Sequence, residues 1–410
     1  MKPYNVTIIG GGPAGLMCSL YLAKWGYSVL ILEKMQNVGR KLLLSGLGQC
    51  NLTHTGPISD FLTHYGEHGR FIKSALMNFS NDELIRFFNE HGIHFIEHED
   101  GKIFPESGKS RDILTILTDN IETTGVKIHT NEPVQAIAQS DAGFMVTTTK
   151  DAYLSAYVVL ATGGFTYPST GSTGDGYILA KKLGHTIIEP GPALAPVIIK
   201  NFPFRELAGM SFPSSVLRLF RDNKKIHETK GDILITHQGL SGPAILDFSR
   251  YIRKGDELRI SFIPSLDNTS GRDGLTRYFS TGGIKQVKTL LTSLNVPERF
   301  AKKILEIAEI PTEMTCAQFP KKSRNRLISL LLEYSFPDLS LGDKNEAMVT
   351  RGGVSIDEIR QDTMESKVIP GLYCIGEVLD IDGDCGGYNL QAAFSTGVLA
   401  AASIHKISVN

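Results

Sequence analysis

Val6-Thr7-Ile8-Ile9-Gly10-Gly11-Gly12-Pro13-Ala14-Gly15 is the stretch on which the fold turns. Four apolar or β-branched residues read as a buried parallel strand, and they run straight into glycine. Gly10, Gly12 and Gly15 satisfy the G-x-G-x-x-G spacing. Beyond them Ala14, Met17, Tyr21, Leu22 and Trp25 share one face of a helix, which Gly26 can end in the left-handed conformation. A second strand, Ser28 to Leu32, finishes at Glu33, 23 residues after Gly10. A carboxylate about 20 residues past the glycines is where a dinucleotide fold binds ribose hydroxyls. Gly10 permits the tight turn, Gly12 lets a pyrophosphate reach the backbone, and Gly15 lets helix and strand pack closely. The helix N-terminus, opening at Pro13 and Ala14, offers free N–H groups to the anion. An acid at position 33 favours a free ribose 2′-hydroxyl, as in FAD or NAD, over NADP.

The rest of the composition sets bounds around this motif. A chain of 410 residues has room for two or three domains. Its 42 Lys and Arg stand against 43 Asp and Glu, a net charge of −1, so no global basic field draws a nucleic acid or an anionic membrane. The expectation is therefore no nucleic-acid partner. With 41% hydrophobic and 21% charged residues, the composition is that of an ordinary globular protein, and long disorder is not expected. Glycine is over-used, 41 residues of 410 against a usual ~7%, so many positions need positive φ or close approach. Five cysteines without a C-x-x-C pair argue against a disulfide framework and a zinc ribbon, and fit a reducing cytoplasm. The apolar N-terminus is broken at Gly10 to Pro13, unlike a signal peptide, and no run approaches the ~20 apolar residues of a membrane span. Oligomeric state is not legible.

Further segments narrow the cofactor. Val158-Val159-Leu160-Ala161-Thr162-Gly163-Gly164 and Gly371-Leu372-Tyr373-Cys374-Ile375-Gly376-Glu377 are buried strands breaking into glycine. Between Glu33 and the first of them lies Gly39-Arg40-Lys41-Leu42-Leu43-Leu44-Ser45-Gly46-Leu47-Gly48-Gln49-Cys50-Asn51. With Tyr167 to Gly176, Thr236 to Ala244, Thr363 to Lys367 and Gly383 to Asn389 following in order, the whole chain resembles the bacterial NAD(P)/FAD-dependent flavoproteins of the BaiN type, a group that includes aminoacetone-oxidase-like proteins. The resemblance implies an FAD domain assembled from both chain ends. It implies that Glu33 and Lys34 hold the adenosine side, and that Arg40, Lys41, Ser45, Gly46 and Asn51 line the diphosphate and flavin. It further implies that Ala161, Thr162 and Gly163 close over the cofactor, and that Gly376, Glu377 and Asp380 lie along the ribityl and phosphate. Gly387, Asn389 and Leu390 complete the set at the flavin end. This chain departs from the usual Gly-Gly-Gly-Arg-Cys-Asn at Gln49, so an arginine near the cofactor is absent.

After Gly383 to Gly387, the segment Asn389 to Ala401 reads as a buried helix whose N-terminus would favour the charge a flavin gains on accepting a hydride. Pro190, Pro192 and Pro196 mark a stiff junction, placing a boundary near 190. The expected fold class is α/β: a Rossmann-like FAD domain at 1–190 and 355–410, and an inserted β-barrel substrate domain at 191–270 and 336–354. Residues 271–335 carry helix-period leucines and lysines and form a helical insertion. Ala347 to Val354 is expected to return the chain through the barrel.

Several residues tempt a catalytic or metal reading. His91, His94 and His98, with His64 and His68 nearby in sequence, do not share a helix face, because a helix over 82–91 and a hairpin turning at Asp100-Gly101 separate them. No metal is expected. Cys50 lacks the neighbouring thiol a disulfide reductase needs, so packing is its expected role. His237 is a candidate general acid or base, or else bonds its own loop. Tyr167 and Tyr388 are candidates for lining the substrate pocket.

The expected function is FAD-dependent hydride transfer between a small organic substrate and flavin N5. Alternatives are an oxidase of a small amine, or a flavoprotein with structural FAD or an RNA partner. A second G-x-G-x-x-G is absent, since Gly171-Ser172-Thr173-Gly174-Asp175-Gly176 has its glycines in another order. Any NAD(P)H must then bind without its own Rossmann unit.

Overall fold

The computed structural model describes residues 3–140, 142–263 and 268–409. The chain divides into two compact units, Met1–Ala193 with Lys344–Asn410, and Leu194–Asp343. Each unit buries its own apolar cluster.

In the first unit, β1 (Tyr4–Ile9) leads into α1 (Pro13–Lys24) and β2 (Val29–Leu32). β1 lies parallel both to β2 and to strand Ala152–Leu160. Strand Lys127–His129 continues the parallel sheet beyond β2, and strand Leu372–Cys374 continues it beyond 152–160. Counted along the chain, these five parallel strands stand in the order third, second, first, fourth, fifth. That is a Rossmann order, and it reverses beside β1. In such sheets ligands bind in the crevice outside the carboxyl ends of the strands at the reversal. All four residues of β2 are buried, as expected of a strand covered on both faces.

Proline at its first turn and Gly26, at φ 83°, delimit α1. The C-terminal helix, Tyr388–Val409, crosses it so closely that a methyl at Gly397 would lie 2.5 Å from the Ala14 carbonyl oxygen.

The second unit holds a seven-stranded antiparallel sheet. Its longest hairpin pairs Ser211–Arg221 with Lys224–Ile235 around Asp222 and Asn223, both at positive φ as a tight two-residue turn requires. The sheet's two edge strands, Tyr334–Phe336 and Leu339–Leu341, are separated by two residues in the chain. The sheet is therefore rolled, with its edges brought together and no ladder between them among the described residues. Helices Asn268–Ser280, Val287–Ser293, Glu298–Ile307 and Lys321–Leu332 form the insertion between strands Glu257–Ser261 and Tyr334–Phe336. The leucine-rich run 283–310 is two helices because Asn295 takes positive φ and Pro297 follows it.

One expectation is corrected. Residues 344–354 belong to the first unit and not to the β domain, because Val349–Val354 pairs with Ile187–Ala193. The ladder shifts register between Ile188 and Gly191, and Gly352 and Gly353 adopt positive φ. A methyl at Gly352 would sit 2.4 Å from Glu189 O, so glycine alone lets the two strands close.

Candidate functional site

The three motif glycines meet three different surroundings. A methyl at Gly10 would lie 2.4 Å from Ala161 O, and one at Gly15 would lie 2.2 Å from Gly10 O. At Gly12 nothing lies within 4 Å. Two glycines thus lock the loop against the strands, and the third leaves open space at the start of α1. That helix has no side-chain cap and no acid in its first turn, so its N-terminal dipole is not neutralised locally. The open side of the loop suits an anion. Pro13 and Ala14 contribute backbone there, and Ala161, whose N–H donates to Ile9 O (2.9 Å), forms the opposite wall. Next to it Thr162 Oγ1 is buried without a partner. An uncapped helix start and a glycine facing open space are together what a bound dinucleotide would use; the Thr162 hydroxyl is turned instead towards Gly176, where a methyl would meet it at 1.9 Å.

Glu33, at the end of β2, accepts hydrogen bonds from Gly11 N (2.9 Å) and Met35 N (2.8 Å). Its carboxylate is fixed at the rim of the glycine loop. Lys34 is bound instead by Thr173 and Asp175. Burial pushes the Asp175 carboxyl up, but the hydrogen bonds from Lys34 and Thr173 outweigh it, leaving its pKa lowered. Gly39 N donates to Gly11 O (2.8 Å), which brings the 39–51 segment onto the same loop. Arg40 is half-buried there.

Lys41 reaches the far end of the sequence. Its Nζ lies 2.8 and 2.7 Å from the two carboxylate oxygens of Glu377 and 2.8 Å from Thr166 Oγ1. Thr350 N donates to Glu377 Oε1 (2.9 Å), completing the carboxylate's shell. This ion pair sits where strands 152–160 and 372–374 end. Gly163, at φ 71°, and Gly376, at φ 69°, make the turns that bring both strand ends to it. Gly376 N donates to Thr396 Oγ1 of the C-terminal helix (3.0 Å). Thr166 and Thr350 have no local sequence signal; they are recognised only through contact with Glu377.

Ser45 Oγ donates to Leu42 O (2.7 Å), and Gly46 turns at φ 56°. Cys50 is fully buried, and burial pushes its thiol up to about 12, against a weaker opposing hydrogen bond from Ser45. A thiol so held is neutral at physiological pH. Asn51 donates to Thr53 O (3.0 Å) and accepts from Gly387 N (3.1 Å), joining this segment to the C-terminal glycine loop.

That second loop, 383–387, is packed throughout. Methyls at Gly383 and Gly386 would meet the Tyr388 side chain at 2.9 and 2.8 Å, and one at Gly387 would lie 2.5 Å from Thr53 O. Asn389 spends its amide on the loop, accepting from Gly383 N and donating to Gly383 O, both at 2.8 Å. Leu390 is half-buried on the helix. The Tyr388 ring is buried and lies nearly parallel to those of His64 (4.1 Å) and His54 (5.2 Å), with Phe61 edge-on (5.1 Å). His64 Nδ1 lies 2.9 Å from Asp384 Oδ2. His68 Nε2 stands 3.9 Å from Asp380, whose carboxyl is raised by burial against the opposing pull of His68. The ring cluster was not foreseen, because its members are scattered along the sequence.

Remaining candidates stand apart from this cluster in sequence and role. His91 Nδ1 contacts Phe87 O (2.7 Å), and His91 and His94 line an open cavity of about 520 Å³ with Glu106 and Asp112. His98 packs against Phe104. Tyr167 takes positive φ and donates its N–H to Lys344 O (2.8 Å). His237 is exposed at a turn in the second unit, and among the described residues no hydrogen bond ties its ring to its own loop.

A family model described as HI0933-like protein Rossmann domain matches residues 4–403. The chain belongs to this family. Among relatives of the HI0933-like chain is a protein of Clostridium scindens named 3-dehydro-bile acid delta(4,6)-reductase, 32% identical, covering 97% of this chain and 98% of the relative. A protein of Haemophilus influenzae named ribosomal RNA dihydrouridine synthase is also 32% identical, covering 99% of this chain and all of the relative. In fold, the chain is similar to the open conformation of a flavocytochrome c3 fumarate reductase, at 15% identity, TM-score 0.53 and coverage of 100% and 79% of the two chains. It is equally similar to 3-ketosteroid delta1-dehydrogenase of Sterolibacterium denitrificans, at 13% identity, TM-score 0.53 and coverage of 99% and 100%. This HI0933-like protein is an FAD-dependent oxidoreductase. The RNA name of one full-length relative weighs against the expectation of no nucleic-acid partner. No helix among the described residues is long and apolar enough to cross a membrane.

Proposed function

We propose that this chain uses FAD to saturate a carbon–carbon double bond conjugated with a carbonyl group. One observation carries the reading: full-length relatives named for unlike substrates, a bile acid and a ribosomal RNA nucleoside, are named for one reaction class. A delta-reductase and a dihydrouridine synthase each remove a double bond from a carbonyl-bearing ring. Reduced FAD supplies the hydride, with NAD(P)H as the proposed electron source.

The first unit is then the FAD domain and the second the substrate domain. Glu33 takes the adenosine ribose, and the start of α1 with Gly12 takes the pyrophosphate. The charges of Lys41 and Glu377 offset one another, and their pairing holds the two strand ends at fixed spacing. Saturation also requires a proton at the second carbon. His237 suits this better than Tyr388, because its ring is exposed and untethered while that of Tyr388 is packed in a stack.

The test is anaerobic. The purified holoprotein is reduced with NADH or NADPH, then given a 3-oxo-Δ4,6 steroid, a uridine-containing RNA or a panel of small amines. Flavin reoxidation matched by loss of the acceptor's conjugated absorbance supports the reading. Reduction of the oxidised flavin by amines, with reoxidation by oxygen alone, overturns it.

A further inference from the structure

The net charge of −1 conceals a strong segregation. Residues 268–332, the helical insertion, contain eleven Lys and Arg against five Asp and Glu, a net of +6. The remaining residues of the chain carry 31 basic against 38 acidic groups, a net of −7. All of that negative balance lies in the first unit: the rest of Leu194–Asp343 is neutral, so the insertion is the basic part of the second unit.

Within the insertion the acids are not spread evenly. Glu298 pairs with Lys288 and Lys302, Glu306 with Lys303, and Glu309 with Arg326. Seven other cations have no carboxylate partner among the described residues; Arg272 bonds Ser329 Oγ and Arg299 the Glu206 carbonyl, which leaves Arg277, Lys285, Lys321, Lys322 and Arg324. They share one end of a helix pair. Helices Asn268–Ser280 and Lys321–Leu332 run antiparallel, tied by Arg272 Nη2 to Ser329 Oγ (3.1 Å) and by Arg324 Nη1 to Ser280 Oγ (2.9 Å). Arg277 lies one turn from Ser280, and Lys321 one turn from Arg324. Lys285 sits on the loop that follows Ser280, held to residues 316 and 317 by two backbone hydrogen bonds. Arg277, Lys285, Lys321 and Lys322 are exposed, as is Ile284 between them, at 90%.

This arrangement is costly for stability alone. Lys321 and Lys322 occupy the first turn of a helix, where the macrodipole repels cations, and that helix has no acid in its first turn to offset them. The same dipole adds to the pull on an anion. Five unpaired cations at one end suit a flexible polyphosphate, whose binding is driven by release of condensed counterions.

We infer that this end of the helical insertion is a docking surface for the phosphate backbone of RNA. The choice of RNA rests on the reductive reading above: a uracil ring carries a double bond conjugated with a carbonyl along a polyphosphate chain, whereas the acyl chains of an anionic membrane carry isolated ones. The binding itself is tested without flavin turnover, so either reading can fail alone.

The experiment measures fluorescence anisotropy of a labelled uridine-rich single-stranded RNA with the holoprotein. Affinity should fall about 100-fold between roughly 50 and 200 mM salt, as neutralisation of about five phosphates implies. The quadruple variant Arg277→Gln, Lys285→Gln, Lys321→Gln and Lys322→Gln should bind about tenfold or more weakly, with the salt slope reduced by roughly three. All four side chains are exposed, and retained FAD absorbance and melting temperature establish that the variant is folded. A control variant removing the exposed Lys73, Lys109, Arg111 and Lys127 of the first unit should bind as the parent does. Equal loss in the control, unchanged binding in the quadruple variant, or tighter binding to phosphatidylglycerol vesicles or duplex DNA than to RNA would overturn the inference.

Discussion

Two glycine-rich loops flank the ends of the first unit, and they do opposite things. In Gly10–Gly15, two glycines are pressed against backbone while Gly12 opens onto empty space beside an uncapped helix. In Gly383–Gly387, the glycines at 383, 386 and 387 are all packed, against Tyr388, Tyr65 and the Thr53 backbone. The first loop is a cradle and the second a clamp. Glycine density alone does not mark a ligand, and neither does open space alone, since Gly26, Gly92 and Gly125 also meet nothing; at Gly12 the open space coincides with an uncapped helix start.

That distinction can be broken, most directly at Gly387. Its φ of 90° and the 2.5 Å approach to Thr53 O mean that Gly387→Ala should lower global stability by about 3 kcal/mol in denaturant melts. An unchanged melt would show that the clamp is loose. Glu33→Ala should weaken FAD binding by ~1–3 kcal/mol, the scale for a lost charged acceptor, as read by fluorescence titration of the apoprotein. Full affinity would mean that the carboxylate serves only Gly11 and Met35. Gly12→Ala sharpens the contrast. Stability should stay within about 0.5 kcal/mol of the parent, while FAD affinity falls about tenfold, because the added methyl fills the open side of the cradle. If it instead unfolds the protein as Gly387→Ala does, the two loops are alike.

The smallest effect concerns pH beside the clamp. Burial raises the Asp380 carboxyl, so the folded state holds that proton more tightly than the unfolded chain does. Its contribution to stability is full below the ordinary carboxylate value near 3.8 and is lost as pH rises through the raised folded value. Asp380→Asn should flatten that part of the stability profile. A profile with the parent's slope would assign the slope to another group.

What could be read from the sequence was what is local. The turn at Gly10, the helix to Lys24 and the acid at 33 are fixed by neighbours within a few dozen residues, and the structure has each where spacing put it. Lys41 and Glu377 are 336 positions apart, and no periodicity connects them. The stretch 344–354 reads as part of the β domain for a similar reason: a short strand reveals that it will pair, not with what, and its partner is Ile187–Ala193. His54, His64 and Tyr388 were three isolated aromatics until folding stacked them. Whole-chain charge conceals most, since +6 in the insertion and −7 elsewhere sum to −1.

Strand Leu372–Cys374 borders 152–160 in the central sheet, and Glu377, just beyond it, holds Lys41. During synthesis the second unit, Leu194–Asp343, is therefore translated entire before the sheet's last strand. At about 5–20 residues per second, some tens of seconds separate translation of the glycine cradle from that of its closing strand. Over that interval the nascent first unit has an unpaired sheet edge at 158–160 and an unneutralised Lys41. The order of translation thus makes the cofactor site one of the last parts of the molecule to mature.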